Sequence, residues 1–193
     1  MSDFRIRKAN LQDFPEIRKI YAAARQFMRE HNNPNQWGTT SPREELLLRD
    51  LREGHLYVVL CGKAEADPSA LHRSMQNEPP GGEQASPAGV FALFTAPDPT
   101  YEVIEDGSWL SDTPYATIHS IASGGTAHGV LQAAVDFAEP LFRHIRIDTH
   151  ADNYVMQGAL EKRGFSRRGI IYLADGNPRI AYERVAGPAV SDS

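Results

Sequence analysis

The chain has 193 residues, of which 41% are hydrophobic, and its formal net charge at pH 7 is −5. This length suits one domain with a hydrophobic core and is short for two, and the acidic balance without a basic run argues against nucleic acid or an anionic membrane as a partner. The first residues lack the apolar core of a signal peptide and no stretch approaches the ~20 apolar residues of a membrane span, so we expect a soluble, cytoplasmic protein.

The N-terminal residues predict a strand followed by a long helix. Residues 4–7 alternate apolar and basic side chains, which is typical of a strand with one covered face. Asp13 stands where an N-cap is expected, Pro15 falls in the first turn, and apolar residues recur at helical spacing to about Glu30. We therefore predict an amphipathic helix capped by Asp13.

A polar loop and a second helix follow. Residues 31–38 are polar apart from Trp37, so they form either a simple connector or one wall of a small-ligand pocket. Ser41 precedes a proline and is followed three residues later by Glu44, which is the pattern of a capping box. This pattern predicts a helix over residues 42–52 with Ser41 as its N-cap.

The middle of the chain predicts two strands separated by an insertion. Residues 56–61 and 88–94 are apolar strand patterns, and Cys61 is expected to be an inert core residue. Residues 63–87 are rich in proline, glycine and polar side chains, which indicates a flexible insertion. Residues 101–111 form an acidic segment that connects two predicted strands, and it is either a solvated loop or a surface that attracts an amine.

Residues 115–129 carry the clearest indication of chemistry. A strand over residues 115–122 runs directly into the glycine-rich turn 123–129, and helical spacing begins after Gly129. Glycines let backbone N–H groups point inward, and the N-terminus of the next helix adds unpaired donors, so this order suits a phosphate site. The alternative is a turn that uses glycine only to reach positive φ. No P-loop lysine and no G-x-G-x-x-G spacing occurs here, which argues against both nucleotide-binding classes.

The C-terminal part predicts a strand, a helix and a hairpin. Residues 144–150 alternate strictly, with isoleucines on one face and polar side chains on the other. Asp152 is expected to cap the next helix, which ends at Gly164. Residues 169–173 and 179–183 are two strands joined by a turn.

This order of elements resembles the GNAT superfamily of N-acetyltransferases. The residues that carry the resemblance are 118–125 with Gly129, 146–150, and 153–165. The resemblance implies an α/β fold with a mixed, mostly antiparallel sheet that splays between its fourth and fifth strands and is flanked by about four helices. It also implies a single domain over residues 1–185, with the flexible insertion at 63–87 and a disordered tail at 186–193.

The resemblance further implies that acetyl-CoA is the co-substrate and lies in the opening of the sheet. Backbone groups of Ile121 and Ser123 would pair with the pantetheine arm, the following N–H groups would hold the pyrophosphate, and Asn153 would face the cofactor. The implied cofactor-binding residues are Ile121, Ala122, Ser123, Gly124, Gly125, Thr126, Ala127, His128, Gly129, Val130 and Asn153. Three positions depart from the family pattern: Thr126 and Leu131 in the loop, and Glu161 where a tyrosine often serves as general acid.

The function implied is transfer of an acetyl group to the amine of a small molecule or peptide by direct attack on the thioester. Such a transfer requires a base for the amine, a donor for the developing oxyanion and a proton for the thiolate. His119 and His150 flank the expected opening, and histidine is the side chain that ordinarily changes charge near neutral pH, which makes these two residues candidate bases. Tyr154 and Tyr172 are candidate acids.

The acceptor pocket implied by the resemblance would involve Gln36, Trp37 and Tyr172 by position, and Asp148 is a further candidate for binding the acceptor. For each of these polar residues a purely structural role is the alternative. A protein that binds acyl-CoA as a sensor without turnover is the rival function, and a homodimer is left open. We expect no metal site, because the spacing of His144 and His150 matches no common ligand pattern.

Overall fold

The computed structural model describes residues 4–61 and 86–187 of the chain. The strands are β1 (Phe4–Lys8), β2 (Leu56–Cys61), β3 (Pro87–Phe94), β4 (Ala116–Ser123), β5 (His144–Thr149), β6 (Ser166–Tyr172) and β7 (Pro178–Val185), and the helices are α1 (Phe14–Glu30), α2 (Glu44–Arg52), α3 (Val130–Ala138) and α4 (Tyr154–Glu161). The seven strands form one sheet in the order β1-β2-β3-β4-β5-β7-β6, in which only β4 and β5 are parallel. The predicted mixed, mostly antiparallel sheet with four helices is confirmed.

The sheet opens between β4 and β5. Their pairing consists of Ala116 with Ile145 and Thr117 with Arg146, and within the described strands it ends there. Beyond Thr117, one edge of β4 therefore carries backbone groups that β5 does not reach. The predicted splay between the fourth and fifth strands is confirmed.

A bulge in β4 lies at this opening. The register with β3 steps from Ala92 opposite His119 to Val90 opposite Ala122, so three steps along β4 match two along β3. Ser120 lies inside the bulge with φ +51°, which is uncommon for a residue other than glycine. The buried hydroxyl of Tyr21, from α1, donates a hydrogen bond of 2.8 Å to the carbonyl of Ser120 and so ties the bulge to the helix.

Apolar side chains cover both faces of the sheet. Neighbouring residues in β2 and β3 point to opposite sides, so that Val58 and Val90 pack with α1 and α2, whereas Val59 and Phe91 pack with α3 and α4. This arrangement gives a three-layer structure in which the sheet is the middle layer, and it explains why the central strands read as nearly continuous apolar runs.

Two of the predicted helix caps are wrong because tertiary contacts engage the capping residues. Helix α2 begins at Glu44 rather than at Pro42, since the Ser41 N–H donates to the Trp37 carbonyl (3.0 Å) and the Ser41 carbonyl accepts from Arg25 (3.2 Å). Asp13 precedes α1 as expected but does not cap it. Its carboxylate binds the Arg7 guanidinium at 2.7 Å and the Asn10 N–H at 2.8 Å.

Two further expectations need correction. Helix α4 is capped by Asn153 rather than Asp152, because the Asn153 side chain accepts the Met156 N–H at 3.1 Å. Cys61 is exposed rather than part of the core, since it is the last residue of β2, where the strand leaves the packed layers.

The described residues include Pro87, which begins β3, but most of the predicted insertion and tail lies outside them. Within the described ranges, no helix combines the length and apolar character that crossing a bilayer requires.

Candidate active site

A cavity of about 630 Å³ lies where β4 and β5 part. Its walls come from the bulged part of β4, from β5, from the loop between α1 and α2, from the start of α4 and from the β6–β7 turn. Six of the side chains predicted to form the site line it, namely Gln36, Trp37, His119, Ile121, Asp148 and Asn153. The fold thus gathers residues that are far apart in the sequence around one opening.

His119 faces this cavity between two carboxylates. Its Nε2 lies 2.7 Å from Asp98 Oδ2, and its Nδ1 lies 3.6 Å from Asp148 Oδ1. Burial alone would lower the pKa of His119, but the hydrogen bond to Asp98 and the charges of both carboxylates outweigh burial and raise it above its ordinary value. Burial alone would likewise raise the pKa of Asp98, yet the bond to His119 lowers it to about 2. Asp98 is therefore ionised at neutral pH and holds the Nε2 side of the ring.

Asp148 has further partners of its own. The buried Tyr101 hydroxyl donates to Asp148 Oδ1 at 2.7 Å, and Arg179 Nε lies 3.8 Å from Asp148 Oδ2. Burial and the adjacent Asp148 raise the pKa of Tyr101 well above its ordinary value, so its hydroxyl remains a donor. Since Nε2 of His119 is bound to Asp98, Nδ1 is the nitrogen that lies toward Asp148 and the cavity.

The glycine-rich turn ends at the N-terminus of α3. Gly124 donates its N–H to the Ala88 carbonyl (2.9 Å), and Gly125 donates to Ser123 Oγ (3.2 Å), so these two predicted phosphate donors are already engaged. The backbone N–H groups of residues 126–129 have no hydrogen-bond acceptor within the described part of the chain. Gly129 has φ +99°, which directs the chain into α3, whose first turn adds further unpaired N–H groups.

Close packing fixes where α3 begins. A Cβ atom added to Gly89 of β3 would lie 2.5 Å from Val130 Cγ1, nearer than van der Waals contact allows. Glycine at this position therefore lets the first turn of α3 approach the sheet and brings its N–H groups to the opening beside β4.

Comparisons with known proteins address the fold. No protein-family model matches this sequence, and no curated protein matches it either. Among solved structures, the chain is similar to a GNAT-family acetyltransferase from Streptococcus agalactiae 2603, with 24% identity, a TM-score of 0.73 and 96% of each chain covered. The chain has the GNAT acetyltransferase fold.

Other structures with this fold are more distant. A GNAT-family acetyltransferase from Listeria monocytogenes 4b F2365 is 16% identical, with a TM-score of 0.60 and 94% of each chain covered. The NatC complex bound to Gag peptide and CoA contains a chain that is 14% identical, with a TM-score of 0.54, covering 96% of this chain and 99% of its own. The resemblance inferred from the sequence is thus confirmed for the fold.

Within this GNAT fold, two of the predicted catalytic residues lie away from the cavity. His150 follows β5, and its Nδ1 accepts the Asp152 N–H at 3.2 Å. Tyr172 is 43% exposed and donates to Glu105 at 3.0 Å. Neither residue lines the cavity, and Tyr154, the other candidate acid, is 72% exposed. Of the candidate bases, only His119 is placed at the opening of the sheet.

The remaining polar residues of β5 hold down the segment that supplies Asp98 and Tyr101. Buried Glu183 accepts from His144 Nε2 at 2.6 Å and from Arg146 Nε at 3.3 Å. The Arg146 guanidinium lies between the rings of Trp109 and Tyr115, 3.9 Å from each centroid. These contacts hold residues 98–115, which include the predicted acidic connecting segment, against the polar face of β5.

Sequence reasoning missed three residues of this site. Asp98 lies between two prolines, Tyr101 lies in a segment interpreted as an acidic connection, and Arg179 is the second residue of an otherwise ordinary strand. No spacing pattern connects them to His119. The one available signal was the polar face of β5, because a row of His, Arg and Asp side chains on a strand of a covered sheet requires polar partners from elsewhere.

Proposed function

We propose that this protein is an acetyl-CoA-dependent N-acetyltransferase that acetylates the amine of a small molecule or peptide. The observation that carries the proposal is the position of His119, whose Nε2 is held by ionised Asp98 while its ring faces the cavity where β4 and β5 part. A histidine oriented by a carboxylate is suited to accept a proton at neutral pH.

The opening also has the features that a coenzyme A derivative requires. The N–H groups of residues 126–129 and the first turn of α3 would hold a diphosphate, as backbone donors at a helix N-terminus do. The edge of β4 beyond Thr117, which β5 does not reach, would pair with the amide groups of the pantetheine arm. Because these donors are backbone groups, the departures at Thr126 and Leu131 leave them in place. Acetyl-CoA would supply the acetyl group as an activated thioester.

The side chains around Asp148 suggest how an amine is prepared. The amine would donate one hydrogen bond to Asp148 and lose one proton to His119 Nδ1, while Asp98 stabilises the resulting imidazolium. The nitrogen forms a bond to the acetyl carbon as the carbon–sulfur bond breaks. An amine that binds as an ammonium ion loses two protons: the first passes through His119 to solvent before the attack, and the second leaves as the amide forms and ends on the thiol, so one proton is released overall.

A thiol-release assay with acetyl-CoA and a panel of amines tests this proposal. We expect His119→Gln to lower kcat by about 10²–10⁴-fold, which is the usual contribution of a general base, without weakening CoA binding in calorimetry. His31→Gln, at an exposed position outside the cavity lining, is the matched control and should retain turnover. Binding of CoA without thiol release across the whole panel would instead favour the acyl-CoA sensor.

A further inference from the structure

Arg179 is a cavity-lining side chain that the proposed chemistry does not use. Arg179 is 8% exposed. Its Nη1 donates to the Pro178 carbonyl (2.9 Å), and its Nη2 donates to the Gln36 carbonyl (3.4 Å). Its Nε faces Asp148 at 3.8 Å, which is beyond hydrogen-bond distance. A guanidinium has five N–H donors, so three of them lack a close acceptor among the described residues.

The charges near Arg179 do not fully compensate its burial. Burial lowers the pKa of Arg179 below its ordinary value even though Asp148 and Asp175 act in the opposite direction. A planar guanidinium whose donors lack close acceptors among the described residues is the geometry that binds a carboxylate through two parallel hydrogen bonds.

Asp148 lies between His119 and Arg179 at the cavity. One of its oxygens is 3.6 Å from His119 Nδ1, and the other is 3.8 Å from Arg179 Nε. An amine held by the first oxygen beside His119 therefore has Arg179 on its other side, within the span of one small molecule. When the amine arrives as an ammonium ion it neutralises Asp148, which leaves Arg179 to pair with an anion.

We propose that the acceptor is an amine that carries a carboxylate close to the reacting nitrogen, as a free amino acid does, and that Arg179 binds this carboxylate. The inference rests on the proposed acetyltransferase function. A zwitterion pairs with both Asp148 and Arg179 and leaves the net charge of the cavity unchanged. A diamine would instead leave the guanidinium without a partner.

Matched pairs of acceptors test the inference. Each amino acid is compared with its own decarboxylation product, for example L-alanine with ethylamine, L-phenylalanine with 2-phenylethylamine and L-lysine with cadaverine, by kcat/KM in the thiol-release assay. We expect the carboxylated member to be preferred about 10- to 100-fold in at least one pair, as charge-assisted hydrogen bonds would give. Arg179→Gln should abolish this preference, and Arg179→Lys should restore part of it.

The controls separate the outcomes. Arg167→Gln, an exposed arginine on β6, should keep the wild-type preference. Calorimetric binding of the amino acid to the CoA-bound protein gives a readout that does not depend on turnover. If no pair favours its carboxylated member, or if Arg179→Gln folds and keeps the preference, the inference is overturned while the acetyltransferase function stands. If Arg179→Gln does not fold, the wild-type preference and Arg179→Lys decide. If none of the amines tested supports thiol release, the proposed function itself fails.

Discussion

Asp98→Asn is the substitution that most directly tests the role of the His119–Asp98 pair. The pair joins the ring to a carboxylate whose pKa falls from 3.8 to about 2, a difference of a little under two units. At about 1.36 kcal/mol per unit this corresponds to an upper bound of about 2 kcal/mol for the pair, because hydrogen bonds with Thr100 also lower this pKa. The Asp98 side chain is only 20% exposed, so solvent screens the pair weakly. If the imidazolium loses this stabilisation in the transition state, kcat/KM should fall by up to roughly 30-fold.

The assay is the pH dependence of kcat/KM with acetyl-CoA and one good amine. In the wild type the acidic limb should have its midpoint above the ordinary pKa of histidine, because the pKa of His119 is raised. In Asp98→Asn this midpoint should move to lower pH as the rate falls. Asp112→Asn, an exposed residue of the same segment, is the control and should leave both quantities unchanged.

The pH dependence of the unfolding free energy should depend on the same His119–Asp98 pair. The lowered pKa of Asp98 gives stability that is present above pH 3.8 and is lost as pH falls toward 2, whereas the raised pKa of His119 gives stability that is present below pH 6.5 and is lost as pH rises through its folded value. The difference in unfolding free energy between wild type and Asp98→Asn should therefore be largest between pH 3.8 and 6.5. The reasoning would be refuted if Asp98→Asn, like the Asp112→Asn control, left the midpoint of the acidic limb unchanged and if its difference in unfolding free energy from the wild type did not vary with pH.

Three further substitutions test the framework of the site. Tyr21→Phe removes the donor to the Ser120 carbonyl, so we expect a loss of about 1 kcal/mol of unfolding free energy in urea and weaker CoA binding in calorimetry. Gly89→Ala places a methyl group against Val130 and should cost about 1–3 kcal/mol in the same unfolding measurement while displacing the start of α3. Glu183→Gln removes the charge that buried His144 and its neighbours share, and thermal and urea unfolding should show a loss of about 3–5 kcal/mol.

Each of these substitutions has a matched control. Tyr57→Phe removes a hydroxyl that makes no hydrogen bond with the described residues and should be nearly neutral. Gly158→Ala, in α4, adds a methyl group with no atom within 4 Å and should stabilise the protein by about 0.5–1 kcal/mol. Glu139→Gln breaks the partly exposed ion pair with Arg184 and should cost less than about 1 kcal/mol. A substitution that costs no more than its control would show that the contact assigned to it does not hold the site.

The sequence alone predicted the secondary structure around the opening and, through its resemblance to a family, the type of sheet. Alternation over β5, the apolar runs of β2 and β3 and the glycines before α3 are local signals, because periodicity and turn chemistry depend on neighbouring residues. The helix after the glycine-rich turn accordingly begins at Val130, as expected, although β4 extends one residue further than predicted, to Ser123. The predicted caps failed at Ser41 and Asp13, because Arg25 binds the Ser41 carbonyl and Arg7 binds the Asp13 carboxylate.

Only the tertiary structure decided which polar side chains surround His119. Asp98 is 21 residues from His119, and Tyr101 is 47 residues from Asp148, so no spacing pattern joins them. They meet because residues 98–115 fold across β5 and because β4 and β5 part after two pairs of residues. Local patterns determine which face of a strand is buried, but contacts between remote segments depend on how strands pair and where that pairing ends.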